Sequence, residues 1–472
     1  MKESTRKWEV LAVVGAAFFM TILDVAIVNV ALPSIQKDLD IPESTLQWVV
    51  TAYAITFGGF LLLGGRMADL LGRRRIFIVG LTLFTLASLF CGLAWSAGVL
   101  IGARAVQGVG AAIISPAALS IVTTTFEEGA ERNKALGIWG ALGGSGAAAG
   151  VLFGGILTEY LGWEWIFFVN VPVGVVVFAL TRPIVQESRA ALGHRRFDAA
   201  GAVTVTASLA LLVYAVAKAP DVGWATLRTI GLIVVAAALF AAFLAIETRT
   251  SAPLMPFEIF RNRSVTGANI VGFLFGAAIF ANFFVLTLYV QQVLGWSALK
   301  AGLTFLATAG TTVIWAGVSQ ALVTRVGVRP ILVAGLLVAG GTMLYYTTLP
   351  VTGHFWPDLL PPYLTFAFGI AFTFIPVTIA AFVGVPGQLA GLASGLLNTV
   401  QQVGGAIGVA VSATIFTSRA KSGGFTPAAF TSGYHWAFFA LAVTAFVAAV
   451  AGAVLLRDVV APSGEPVPAS AA

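Results

Sequence analysis

With one cysteine and three histidines in 472 residues, the chain has almost nothing from which to build a disulfide framework or a soft-metal cluster. Cys91 has no partner for an intrachain bridge, and inside an apolar run it reads as a small buried hydrophobe. Charge is scarce as well. Asp, Glu, Lys and Arg make up 10% of the residues, against roughly a quarter in soluble domains, which excludes an ordinary soluble domain and a charge-rich disordered one. There is no Gly-x-x-x-x-Gly-Lys phosphate loop, hence no signature of an ATP-driven pump. No clustered His/Cys/carboxylate set points to a catalytic metal, so neither enzyme chemistry nor a cofactor or metal is expected.

What the chain has instead is apolar length. Hydrophobic residues make up 58% and the mean hydropathy is +0.95, the composition of an all-α polytopic membrane protein surrounded by lipid. Fourteen apolar runs of about 20 residues, the first at 10–32 and the last at 434–456, are each long enough to cross a bilayer. The net charge of +6 does not indicate nucleic acid, because the basic residues lie in short loops rather than on one face. If the N-terminus is cytoplasmic, 19 of the 26 Lys and Arg fall inside, 6 outside, and Arg104 lies within a span. The positive-inside rule then places both termini on the cytoplasmic side of the cytoplasmic membrane. Lys2, Arg6 and Lys7 precede a run too long for a signal-peptide core, so the first span is expected to be retained. The Pro/Ala/Ser-rich tail Ala461–Ala472 is expected to be disordered.

Asp24 is the single charge in the 27 residues from Val10 to Gln36. An ionisable group at that depth costs roughly 2.5 kcal/mol or more, so the folded protein must compensate for it. Span 1 runs outward and span 4 inward, and counting from their outer ends puts Asp24 and Arg104 at one depth, about 12 Å below the surface. They are expected to pair or to share a cavity. A proton and a substrate competing for that one carboxylate would be the simplest chemistry of exchange. A second pattern is a repeat at an offset of 255 residues, in which Met67–Arg74 aligns with Leu322–Arg329 and Gly80 with Gly335. This equates spans 2–3 with spans 10–11 and fits two six-span halves with two extra helices between them. The expected boundaries are 1–182, 183–263 and 264–458, with 459–472 as the tail.

Four stretches resemble one family in the right order. Leu23-Asp24-Val-Ala-Ile-Val-Asn29-Val-Ala-Leu32-Pro33 is followed by Gly65-Arg-Met-Ala-Asp69-Leu-Leu-Gly72-Arg73-Arg74-Arg75, then Leu100-Ile-Gly-Ala-Arg104-Ala-Val-Gln107-Gly108, then Gly391-Leu-Ala-Ser394-Gly395 through Gly405. The sequence resembles the fourteen-span drug:proton antiporters of the major facilitator superfamily, the EmrB/QacA type. The resemblance implies that fold, a monomer, proton coupling through Asp24 and Arg104, and a conformational switch at Gly65, Asp69, Gly72 and Arg73. It also assigns the small-residue face Gly146, Gly150, Gly154 and Gly155 to the switch. Two departures stand out: the span 5 motif has Val151 where the family has proline, and Glu164 replaces the usual arginine.

Tyr53, Gln107, Asn282, Tyr289, Gln292, Asn398 and Gln402 are polar groups in apolar helices and are candidates for a cavity that binds greasy molecules; interhelical bonding is their plainer role. Glu127 and Glu128 are candidate partners for Arg73–Arg75. No acidic residue lies deep in spans 9–14, which favours a small lipophilic substrate that is neutral, monocationic or zwitterionic. The expected function is export of hydrophobic drugs or natural products in exchange for protons. Symport, export of a narrow substrate range, or a non-transporting sensor or assembly role are the alternatives.

Overall fold

A computed structural model describes residues 2–189, 198–250, 253–422 and 426–456. The C-terminal tail, Arg195, Arg196 and Arg457 lie outside them. The described residues form fourteen long helices and no strand: α1 Lys2–Asp38, α2 Glu43–Leu71, α3 Arg73–Gly92, α4 Ala97–Thr125, α5 Ala130–Tyr160, α6 Trp165–Ile184, α7 Ala199–Val222, α8 Leu227–Glu247, α9 Arg263–Leu288, α10 Ala298–Val326, α11 Val328–Tyr345, α12 Leu360–Phe382, α13 Ala390–Ser422 and α14 Pro427–Leu455. Thirteen are long and apolar enough to cross a membrane. The fourteenth, α5, is 31 residues long and packs between α1 and α10.

Local chemistry sets the helix ends. Ser96, Thr226, Ser297 and Thr426 cap α4, α8, α10 and α14, each accepting the backbone N–H three residues on. Gly72 (φ +108°) joins α2 to α3 and Gly327 (φ +94°) joins α10 to α11, so the two glycines aligned by the 255-residue repeat make the same left-handed junction. One span differs from the sequence expectation of a continuous run. α6 is interrupted at Val169, between Trp165–Phe168 and Asn170–Ile184. Pro172 is the cause, because it has no N–H for the Phe168 carbonyl and its ring crowds that turn.

The helix packing repeats with a shift of eight. The pairs α1/α5, α2/α4, α3/α4, α1/α6 and α3/α6 recur as α9/α13, α10/α12, α11/α12, α9/α14 and α11/α14. Two six-helix halves result, joined along two seams, α2/α13 and α5/α10, which the same shift exchanges. The extra hairpin α7–α8 breaks the symmetry, because α7 packs on both α2 and α13 and covers only that seam. Gly58 and Gly59 admit it closely: a Cβ on Gly59 would sit 3.1 Å from the Ala210 side chain. At the far end of the hairpin, Trp224 Nε1 donates to Thr414 Oγ1 on α13 at 2.6 Å.

Where α2 crosses α13, Gly65 lies directly on Gly391, and a Cβ on either would run into the other's carbonyl oxygen. Gly65→Ala should therefore destabilise the fold by about 1–3 kcal/mol through overpacking. Gly98→Ala, which meets nothing within 4 Å, should leave it unchanged or slightly more stable. Thermal unfolding in detergent, followed by tryptophan fluorescence, checks both.

Candidate functional site

All six helices of the first half converge on Asp24. Its side chain is fully buried, and Arg104 on α4 is 1% exposed. Arg104 Nη1 donates to Asp24 Oδ2 at 2.6 Å and to Gln107 Oε1 at 2.6 Å. Gln107, one helical turn on, returns Nε2 to Asp24 Oδ1 at 2.8 Å and to Ser88 Oγ on α3 at 2.7 Å. Asn170, at the break in α6, donates Nδ2 to the same Oδ1 at 2.9 Å. From α2, the Val49 carbonyl accepts Arg104 Nε at 3.1 Å and the Tyr53 ring lies 4.2 Å from the guanidinium carbon. α5 completes the enclosure, because Gly150 rests against the Leu23 carbonyl, 2.6 Å from where a Cβ would be. A buried ion pair holds only if its remaining donors and acceptors are also met, and these contacts engage both carboxylate oxygens of Asp24 and the Nε and Nη1 of Arg104.

The remaining small residues of α5 continue this approach. Cβ atoms on Gly146 and Gly154 would lie 3.0 Å from Ile22 and 2.9 Å from the Ile27 carbonyl, and Gly155 is buried beside them. α5 runs unbroken through Val151, whose side chain abuts Gly302 on α10. Valine where the family has proline thus keeps the helix hydrogen bond that proline would remove and adds a contact across the α5/α10 seam. Nothing in the structure explains glutamate at 164.

A second charged cluster sits at the end of the bundle where α1 starts and α14 ends. Arg73 Nη2 donates to Asp69 Oδ1 at 2.6 Å, and Arg73 Nε donates to Ser120 Oγ on α4 at 2.6 Å. Asp69 also accepts the backbone N–H groups of Gly391 at 3.0 Å and Leu392 at 2.9 Å. It therefore sits on the N-terminus of α13, where unpaired N–H groups and the helix dipole favour a carboxylate. Arg73 reaches the Gly387 carbonyl as well, so both residues bridge the two halves. Glu127 and Glu128 are not the partners of these arginines. Glu128 lies 3.9 Å from Arg132, whereas Glu187 accepts the backbone N–H groups of Arg74 and Arg75 at 3.2 Å each and lies 3.8 Å from the Arg74 side chain. Glu187 follows the end of α6 and folds back onto the start of α3, a return that spacing alone does not reveal.

The candidate cavity residues scatter. Gln107 and Tyr53 belong to the Asp24 network. Asn398 on α13 accepts Ser115 Oγ from α4 at 3.3 Å and so bonds across the halves. Asn282 on α9 is fully buried with neither amide atom paired among the described residues. Gln402 is half-buried on α13 beside Gln401, whose Nε2 is also unpaired. Tyr289 and Gln292 lie at the other end of α9, in a wide π-type turn. Tyr289 donates to the Pro350 carbonyl at 2.6 Å, and Gln292 Oε1 accepts Tyr434 at 2.7 Å, so both serve contacts within the second half.

Sequence comparison places this architecture. The profile of the Major Facilitator Superfamily matches residues 14–409. The chain belongs to the Major Facilitator Superfamily. It is 38% identical to the uncharacterized MFS-type transporter EfpA of Mycobacterium tuberculosis H37Rv, over 86% of this chain and 76% of that one. It is also 38% identical to the puromycin resistance protein pur8 of Streptomyces alboniger (97% and 91% covered) and to the cephamycin export protein CmcT of Amycolatopsis lactamdurans (94% and 92% covered). Among solved structures, the human organic anion transporter MFSD10 aligns with a TM-score of 0.70 at 15% identity, over 94% of this chain and 99% of that one. The proton:xylose symporter XylE aligns with a TM-score of 0.65 at 14% identity, over 95% of each chain. These two share the superfamily fold.

Within this superfamily member, Ser88 and Asn170 are the site residues that the sequence did not disclose. Each is a small polar residue in a largely apolar span. For Asn170 there was a signal in Pro172, which marks a helix break two residues away. Breaking the pair from one side should be costly: Arg104→Leu leaves Asp24 buried without a counter-charge and should destabilise by about 3–5 kcal/mol. Adding Asp24→Asn to Arg104→Leu should recover part of that loss. Denaturant unfolding of the two variants in detergent measures the difference.

Proposed function

We propose that this protein is a secondary active exporter that moves small hydrophobic molecules out of the cell in exchange for protons, with Asp24 as the proton-carrying group. The observation that carries the reading is a fully buried carboxylate in the first span, paired with Arg104 and linked by hydrogen bonds to four other helices of the same half. An intramembrane acid is costly to bury, which makes a functional role its default reading. It lies against the glycine face of α5, one of the two helices of the α5/α10 seam, so a change in its charge acts directly on a joint between the halves. Resistance and export proteins for individual antibiotics among the relatives support amphipathic natural products or drugs as the substrate class.

The substrate would lie between the halves, where the unpaired polar atoms of Tyr53, Ser394, Gln401 and Asn282 offer hydrogen bonds in apolar surroundings. Asp69 and Arg73 would act as the switch, holding α2 to the start of α13 in one state and releasing it in the other. The protein would work as a monomer in the cytoplasmic membrane, with both termini and the Asp69 cluster in the cytoplasm. The six-helix units at 1–182 and 264–458 would rock about the seams, with the 183–263 hairpin riding on one of them.

Dye efflux in everted membrane vesicles under an imposed proton gradient tests this. The native chain should move ethidium or a similar lipophilic cation, and Asp24→Asn, at equal abundance in the membrane, should fall to the level of vesicles without the protein. Equal transport by both would remove Asp24 from the coupling mechanism.

A further inference from the structure

The directions of the hydrogen bonds at Asp24 determine what a proton would do there. Oδ1 accepts from Gln107 Nε2 at 2.8 Å and Asn170 Nδ2 at 2.9 Å, and Oδ2 accepts from Arg104 Nη1 at 2.6 Å. Every partner donates, which is the pattern of an ionised acid. A proton on Asp24 makes one oxygen a donor, and in a fully buried site that hydrogen must find an acceptor within the network.

The two amides beside Oδ1 differ in one respect. Gln107 Oε1 accepts Arg104 Nη1 at 2.6 Å. Arginine only donates, so turning the Gln107 amide would set NH2 against guanidinium, and Gln107 can therefore only donate to Asp24. Asn170 is not held in this way. Its Nδ2 reaches Asp24 and, at 3.5 Å, Ser88 Oγ, and no donor-only group among the described residues holds its Oδ1. Turning that amide brings Oδ1 to Asp24 as an acceptor. Ser88 tolerates either orientation, because its hydroxyl, which donates to the Phe84 carbonyl at 2.9 Å, can donate and accept.

The other ionisable groups around the site do not offer this. Arg104 on α4 only donates. Tyr53 on α2 lies under the guanidinium, and its hydroxyl makes no bond among the described residues. Cys91 on α3 points its sulfur at Gln107 Oε1, 3.6 Å away. α5 presents glycine, and α6 presents Asn170 itself. Building on the reading that Asp24 carries the transported proton, we propose that Asn170 is a two-way positioning residue: it donates to the Asp24 carboxylate and accepts from the Asp24 acid, keeping α6 joined to α1 in both states. Gln107 joins α4 to the carboxylate alone. Proton uptake at Oδ1 weakens the Gln107 contact and keeps the Asn170 contact, so α4 is left with the Arg104 bond to Oδ2 as its one tie to a now neutral acid while α6 keeps its own.

The test uses the full-length protein in liposomes, with infrared difference spectra of the carboxylic C=O stretch across a pH titration and the pH profile of dye transport. The native protein should show an acid band that Asp24→Asn abolishes. Asn170→Leu should shift that band to higher frequency and slow transport with little change in the pH midpoint, because it loses a bond to both forms. Asn170→Ser, which can still donate and accept, should restore the native band position. Gln107→Leu should leave the band in place and raise the midpoint by about one pH unit, having lost a donor to the ionised form alone. The proposal is overturned if Asn170→Leu raises the midpoint as Gln107→Leu does and leaves the band unmoved. If Asn170→Leu does not fold, isotope-labelled asparagine in the native chain gives the same decision: an amide C=O change that follows the titration and is lost in Asp24→Asn supports the proposal, and its absence overturns it. A native protein with no acid band from Asp24 would instead overturn the proton-coupling reading, and the Asn170 role with it.

Discussion

The structure depends on one electrostatic constraint, which is that a carboxylate placed in an apolar helix must be neutralised and fully hydrogen-bonded where it stands. Asp24 meets it with Arg104, Gln107 and Asn170, and those partners in turn recruit Ser88, Val49 and Tyr53. The local irregularities of the first half serve this requirement. The interruption of α6 at Val169 places Asn170 at the first position of its second segment. The small face of α5 lets its backbone lie against the turn of α1 that carries the acid. Together they allow one charge to be buried.

The same economy appears at the two seams between the halves, with a difference that the repeat makes visible. Asp69 and Thr324 are equivalent positions. Asp69 grips the N-terminus of α13 with its carboxylate, while Thr324 accepts the Asn133 amide at 3.4 Å across the α5/α10 seam and the Gln320 amide at 3.3 Å within its own helix. One seam therefore closes with charge and a helix dipole, the other with a weak neutral contact. The seam that closes with charge is also the one covered by α7. Two equivalent halves are in this way joined by one charged seam and one neutral seam, and Asp24 lies nearer the neutral one, through α5.

Much of the first half could be read from residue spacing. Counting rise per residue along two antiparallel spans is enough to bring Asp24 and Arg104 to one depth, because a transmembrane helix has little freedom in its axial position. The same count says nothing about which sides of α3 and α6 face the pair, so Ser88 and Asn170 stayed hidden among apolar neighbours. Tyr289 and Gln292 are cavity candidates on polarity alone, and the turn that ends α9 carries them to the Pro350 carbonyl and to Tyr434, partners that polarity does not indicate. The arginine cluster after α2 was evident, yet its acidic partner is Glu187 rather than the nearer Glu127 or Glu128, because the chain returns past α3 after α6.

By itself the sequence determined the class, the number of spans, the repeat and the existence of a buried acid with a basic partner. All of these rest on local quantities: hydropathy over one bilayer thickness, charge in short loops, and the fixed rise of a helix. The tertiary structure alone decided which amide can turn and which cannot, which seam carries the charged lock, and where the extra hairpin lies. Those depend on the rotation of each helix about its own axis and on contacts between residues hundreds of positions apart, and no local pattern encodes them.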